Sequence, residues 1–410
     1  MRLEASARYL AMRIALTGLS SLVLVAATLA GCTVESTSSP SNGSSSSGGG
    51  VTDNDAGSTP VPASLPFKAS NVKLDGVDAS KLGDVVIAQA SCSIDTESKL
   101  IGCIDNDLVQ YVVVDQPGAG KIGVYVAKSV RIEPNAGLRT KGTYALAIVA
   151  LDSLDVQGTI DASAESDYAS AGGFRVPNGG NVRGGGDGGG GEGSSKNGAG
   201  GGSYCGTGGK GAAITGGTPG QPGKTYGSPQ IVPLIGGSAG GSGVINGGTG
   251  GGAVQLVAGK TFTLGAGALI TVGGGGGGFV GAAGSQHGGG GGSGGSILIE
   301  APTASIQGTL LANGGAGGAK STGMDARVKV DGMRATSEAL AKGSAGGEGS
   351  GNANDNGGDA TWFDGDNAPG GGGGAGRIRV NTTTGNSALS AKVLSPSENG
   401  PCATEGTLAP

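Results

Sequence analysis

The sequence predicts an all-β protein, a parallel β-solenoid interrupted by long glycine-rich insertions, and three observations lead there. Glycine supplies 93 of the 410 residues, far above ordinary usage. Rings are scarce, with 1 Trp, 7 Tyr and 5 Phe, so a core must be built from aliphatic side chains in thin layers. One phrase also recurs, as YALAIVALDSLDVQGTIDASA from Tyr144, GAVQLVAGKTFTLGAGALITVGGGG from Gly252 and SILIEAPTASIQGTLLANGG from Ser296, with a shortened GRIRVNTTTG from Gly376. Collagen is excluded, because glycine is clustered rather than placed at every third position and Pro numbers only 16.

At the amino terminus Arg2, Arg8 and Arg13 precede an apolar run from Ile14 to Leu29 that ends in Leu29-Ala30-Gly31-Cys32. The run falls short of the roughly 20 residues that a spanning helix requires, so residues 1–31 read as a secretion signal with a small-residue cleavage site. The terminal quartet resembles the bacterial lipobox. That resemblance implies that Cys32 becomes the first mature residue and carries a thioether-linked diacylglycerol and an amide-linked acyl chain. With Thr33 rather than Asp after it, the resemblance favours the outer membrane or cell surface. Residues 32–64, Ser/Gly-rich after the modified Cys, form a flexible tether.

Residues 65–128 have the most ordinary composition and read as a small β subdomain, with apolar runs from Val85 to Ala88, Val109 to Val114 and Ile122 to Ala127. The last two runs are joined by a loop containing Gly118-x-Gly120-x-x-Gly123, formally a dinucleotide-binding pattern. A strand follows those glycines where a helix would be required, so the loop reads as a hairpin turn. Four cysteines remain once Cys32 is assigned to lipid. In an oxidising compartment they make two disulfides, for which three connectivities are possible. Cys92 and Cys103 flank a turn 11 residues apart and pair first, which leaves Cys205 with Cys402.

Residues 129–410 make up the glycine-rich solenoid, with SVRIEPNAGLRTKG from Ser129 as its first coil. Each full phrase reads strand, turn, strand, glycine (Gly158, Gly267, Gly308), short strand. Period-two alternation places Leu154, Val156, Ile160 and Ala162 on one face, with Leu264 and Leu269, then Ile306 and Leu310, in similar positions. Stacked units of this kind bury aligned aliphatic ladders that no unit could bury alone. The insertions, chiefly Ala171 to Gly250, Gly273 to Gly295 and Gly343 to Gly376, recur beside the strands. They are expected to be ordered polyproline II-like layers held through Cα–H···O contacts.

Chemistry-bearing clusters are few. With 26 basic against 31 acidic side chains and a net charge of -5, the chain has no attraction for nucleic acid. The sole histidine, His287, has no Cys or carboxylate beside it with which to build a metal site or a triad. The stretch GNANDNGGDATWFDGDN spaces Asn352, Asn354, Asn356 and Gly357 like a calcium loop, but the first ligand is not Asp and Phe363 replaces the closing Glu. Gly346 to Gly351 approaches a calcium nonapeptide, with Gly351 where Asp is needed. No metal or other cofactor is therefore expected, and Asp355, Asp359, Asp364 and Asp366 are the residual calcium candidates. Trp362 is the one candidate sugar-stacking residue, weighed against the commoner role of a buried anchor.

The solenoid phrases resemble the glycine-rich lipoproteins of myxobacteria and related Gram-negative bacteria, over most of the chain from Leu65 to Ala409. That group has no established biochemical function, so no catalytic residues carry over. The expectation is a non-enzymatic, lipid-anchored envelope protein that is structural, adhesive or binds a glycan or protein partner. The alternative is a polysaccharide lyase or hydrolase, which would need clustered carboxylates with Arg or Lys on one face. Asp152, Asp155 and Asp161 lie on or beside one coil, but the later copies carry no carboxylate partners for them.

Overall fold

The computed structural model describes residues 59–410, apart from 165–168, 244, 279–286, 320–345, 352–353, 362–367, 388–392 and 398–399. Within them the chain is all-β. Its strands are β1 (Asp84–Ile87), β2 (Cys92–Asp95), β3 (Gln110–Gln116), β4 (Gly120–Ala127), β5 (Ser129–Ile132), β6 (Gly137–Lys141), β7 (Ala145–Ala150), β8 (Ser153–Val156) and β9 (Thr159–Asp161). After a long insertion come β10 (Ala253–Ala258), β11 (Thr261–Leu264), β12 (Leu269–Thr271), β13 (Ser296–Glu300), β14 (Thr303–Ile306), β15 (Thr309–Leu311), β16 (Arg377–Thr382), β17 (Val393–Ser395) and β18 (Ala403–Thr407). Only two short 3-10 turns, Ala79–Lys81 and Asn106–Leu108, interrupt them.

The strands form three sheets, ordered β1-β5-β8-β11-β14, β2-β6-β9-β12-β15-β17 and β3-β4-β7-β10-β13-β16-β18. Every pairing is parallel except the β3–β4 hairpin, whose turn carries Gly118 and Gly120 at positive φ. The chain passes through the first, second and third sheets in that order again and again. Because β1, β2 and β4 pair with β5, β6 and β7, a division at residue 128 would cut through all three sheets, and residues from Ser58 onward form one unit.

Register builds the core. In the first sheet Val85, Val130, Leu154, Phe262 and Ala304 stand in one row and Ile87, Ile132, Val156, Leu264 and Ile306 in the next, all buried. The second sheet adds Cys92, Leu138, Ile160, Ile270, Leu310 and Leu394. Leu269, expected in this row, is instead half-buried on the outer face opposite Thr159 and Thr309. The corner from Leu264 to Leu269 is two residues longer than that from Val156 to Thr159, so Gly267 does not correspond to Gly158. Gly158 and Gly308 do correspond: a Cβ on either would strike two carbonyl oxygens of the preceding corner, at Ala136 and Glu133 or at Ala268 and Gly265.

The third sheet is buried on both faces along β7, β10 and β13, which explains the unbroken apolar run ALAIVA and the run AVQLVA, interrupted only by Gln255. Its outer face packs beneath Phe67, Val77, Leu82, Ile231 and Leu234. One polar stripe crosses that face. The Glu300 carboxylate accepts from Ser70 N and Oγ, Gln255 Nε2 and Asn381 Nδ2, at 2.6 to 3.1 Å, and so fastens the N-terminal segment to β10, β13 and β16.

All the long insertions leave from the second sheet and return to the third, between β9 and β10, β12 and β13, and β15 and β16. Their glycine runs carry no β-ladder, yet they bond to one another through the backbone, as in Gly201 N to Gly209 O at 2.9 Å, Gly240 N to Gly248 O at 2.9 Å and Gly291 N to Gly371 O at 2.8 Å. Most of these glycines are buried. A Cβ added to Gly200, Gly240, Gly290 or Gly291 would fall inside 3.0 Å of a carbonyl oxygen on the neighbouring run, so a Cα hydrogen points at that oxygen in each case.

Candidate functional site

A polar groove follows the corner between the first and second sheets over the first four passes. Its floor is formed by Ala90, Ser91, Asn135, Ala136, Gln157 and Gly158 of successive corners, and its side by Arg139 of β6 with Thr159 and Asp161 of β9. The alternation that sends Leu138 and Ile160 into the core sends Arg139 and Asp161 outward, and the parallel register sets them side by side. Their closest atoms, Arg139 Nη1 and Asp161 Oδ2, are 3.7 Å apart, while Asp161 Oδ1 accepts from Ser163 N at 2.9 Å. The tight corner holds Asn135 at φ 65°, a left-handed conformation that Asn tolerates better than most residues.

The groove has a cavity volume of about 430 Å³, within the range of small-ligand sites. On the far side of Arg139 lies a second depression of about 310 Å³, with Thr140, Lys141, Ser163, Ser170 and Arg175 on its walls. Arg139 is thus shared by both. Beyond the corner, Gln157 Nε2 donates to Asp155 Oδ1 at 2.5 Å, Asp155 pairs with Arg131 at 2.5 Å, and Arg131 Nε donates to Glu133 at 2.8 Å. The hydrogen bond from Arg131 holds the Glu133 carboxyl below its ordinary range. The groove therefore offers guanidinium, amide and hydroxyl donors beside one carboxylate acceptor, with no aromatic among its walls. Such a set hydrogen-bonds a hydroxyl-rich ligand.

The residues singled out in the sequence are dispersed. Cys92 joins Cys103 (Cα–Cα 5.5 Å) and Cys205 joins Cys402 (5.6 Å). Asp359 Oδ1 accepts from Lys210 N and Asn356 Oδ1 from Thr207 N, so these side chains dock one loop against another. Asp355 is half-buried, and loss of solvent raises its pKa. Among the described residues no group of three or more His, Cys, Asp or Glu could hold a metal ion. Cys32, Trp362, Asp364 and Asp366 lie outside the described residues. Asp152, Asp155 and Asp161 do not converge: they pair with Lys260, Arg131 and Arg139 respectively. No helix among the described residues is long and apolar enough to cross a membrane.

The sequence reading missed Ser91, Asn135, Arg139, Gln157 and Thr159. Their only signal was their place beside the core positions, which becomes legible once the corners are aligned pass by pass. No family model, curated protein or solved structure matches the chain, so the resemblance to myxobacterial glycine-rich lipoproteins rests on its motifs.

Proposed function

We propose that the chain is a non-enzymatic lipoprotein of the outer membrane or cell surface, anchored through acylated Cys32, that binds a glycan along the groove around Arg139. In this reading the three sheets close into a parallel β-solenoid, and the glycine runs pack beside it as polyproline II-like layers. The parallel register and fixed order of the strands support the closure, and the bonded, buried glycine runs support the layers. The groove carries the functional reading: its donors and its one carboxylate acceptor are at least partly exposed, and they are supplied by successive corners and by the outward positions of β6 and β9.

The competing reading, a polysaccharide lyase or hydrolase, needs clustered carboxylates with Arg or Lys on one face, and a hydrolase in particular needs two carboxylates facing one bond. Asp161 is the single carboxylate in the groove, and it already faces Arg139. A glycan array probed with the purified chain tests the binding. Wild type should retain a class of glycans that Arg139→Ala loses, with unchanged melting temperature. Equal retention by both would reject the groove, and release of shorter saccharides would favour the enzyme. Anchoring is tested separately: Cys32→Ala should leave the detergent phase and lose the acyl mass on the mature terminus.

A further inference from the structure

We propose that β3 is the docking edge for a second copy of this chain, the two β3 strands pairing antiparallel about Val113. β3 ends the seven-stranded sheet and pairs only with β4; among the described residues nothing pairs with its outer edge. It runs for seven residues as QYVVVDQ, with no Pro, Gly or Lys to discourage a further strand. The opposite end of the same sheet is built otherwise. There β18 carries Glu405 and Gly406, and the N-terminal segment crosses just beyond it, with Lys68 N donating to Ala409 O at 3.1 Å.

Exposed large hydrophobic residues on or beside the described strands fall at the same end, the other two, Val61 and Val232, lying in segments outside the sheets. Val113 is 43 % exposed, Val86 on β1 53 % and Leu100 beyond β2 65 %, whereas none of β4 to β18 carries an exposed large hydrophobic residue among those described. Tyr111, next to Val113 on its face of the strand, turns inward and donates to Thr96 O at 2.9 Å, which leaves Val113 as the apolar centre of the free edge.

The occupant and its direction follow from the strand's near-palindrome. Antiparallel pairing about Val113 sets Val112 against Val114, Gln110 against Gln116 and Tyr111 against Asp115, so one patch complements itself about a two-fold axis. Asp115 is the one ionised side chain on the strand and lies 3.4 Å from Lys121. Antiparallel pairing keeps the two Asp115 carboxylates about 14 Å apart along the strands, where parallel pairing in register would set them face to face about 5 Å apart. A dimer of this kind joins two seven-stranded sheets into one.

Sedimentation equilibrium of the purified full chain in detergent, from about 1 to 100 µM, should show the mass rising toward twice the monomer. Val113→Lys opposes two ammonium groups across the axis and should weaken dimerisation at least about tenfold at unchanged melting temperature. Val113→Cys should form an intermolecular disulfide on mild oxidation, and Val86→Cys should not. A chain that stays monomeric throughout, or a dimer that Val113→Lys leaves intact, overturns the proposal. Failure of Val113→Cys to cross-link also overturns it, and then the edge is covered by another part of the chain or by a different partner.

Discussion

In the strand stack the neighbours of a buried residue are side chains, whereas in the glycine layers they are carbonyl groups. Leu310 of β15 is flanked in its row by Ile270 and Leu394, and its burial removes aliphatic surface from water. Gly291 has a backbone bond to Gly371 and a Cα hydrogen aimed at the Gly315 carbonyl, with no side chain to bury. Both regions satisfy their backbone groups, but only the first gains much from the hydrophobic effect. The layers pay glycine's full conformational entropy in return for approach distances that no other residue allows. One region thus fails when its interior becomes polar, the other when its interior acquires a methyl group.

The largest expected effect comes from polarity in the stack. Leu310→Asp places an unpaired carboxylate where no described residue offers a partner, and should cost about 5 kcal/mol or abolish folding, read from urea denaturation. An unchanged midpoint would mean that the row is not a core. The covalent tie between the two regions comes next. Cys205 sits in the layers and Cys402 beside β18, and their sequence separation of 197 predicts a contribution of about 5 kcal/mol by loop entropy, an upper value since strain usually lowers it. Cys92–Cys103 closes only 11 residues and should contribute about 3 kcal/mol. Replacing each pair by serine and comparing denaturation midpoints tests the order; equal losses would show that chain entropy does not govern it.

A methyl group in the layers should matter less than a charge in the stack, but far more than a methyl group elsewhere. Gly291→Ala must displace the Gly315 carbonyl and should cost about 3 kcal/mol by overpacking. Gly267→Ala meets nothing within 4 Å and should stay within about 0.5 kcal/mol of wild type. If the two variants melt together, the contrast between the regions collapses and the glycine runs are not close-packed.

Legibility differs between the regions for the same physical reason. Alternation marks the stack, so Leu154, Val156, Ile160, Leu264, Ile306 and Leu310 could be placed from the sequence, as could the β3–β4 hairpin and the pairing of cysteines. Register was harder. Matching Gly267 to Gly158 sets Leu269 beside Ile160, whereas the longer corner makes Ile270, one position on, the partner of Ile160, and an error of one residue exchanges the faces of a strand. Glycine runs have no alternation at all, so their partners, such as Gly202 with Gly291, were invisible even where order was expected. The groove was invisible because Asn135, Arg139, Gln157 and Thr159 come from different passes and meet only through register.

The smallest effect lies where the two regions meet. The Asp355 carbonyl accepts from Ala375 N at 2.8 Å at the edge of the layers, while its side chain reaches toward Gly400 and leaves Oδ1 buried without a hydrogen-bond partner. Burial raises this carboxyl above the ordinary value of 3.8. Between that value and the raised one the folded chain holds a proton that the unfolded chain has released. Stability must therefore fall as pH rises through this window, opposite to the behaviour of a carboxylate held by a salt bridge. Above the window the ionised group is a standing cost, below about 1 kcal/mol because the residue remains half in contact with solvent. Asp355→Asn removes that charge and keeps the shape, so it should be more stable than wild type at pH 7, and the gap should close as the pH approaches 3.5. Urea midpoints of both chains across that range decide it. Parallel curves would mean that the carboxylate is solvated, and that the junction tolerates charge as the interior of neither region should.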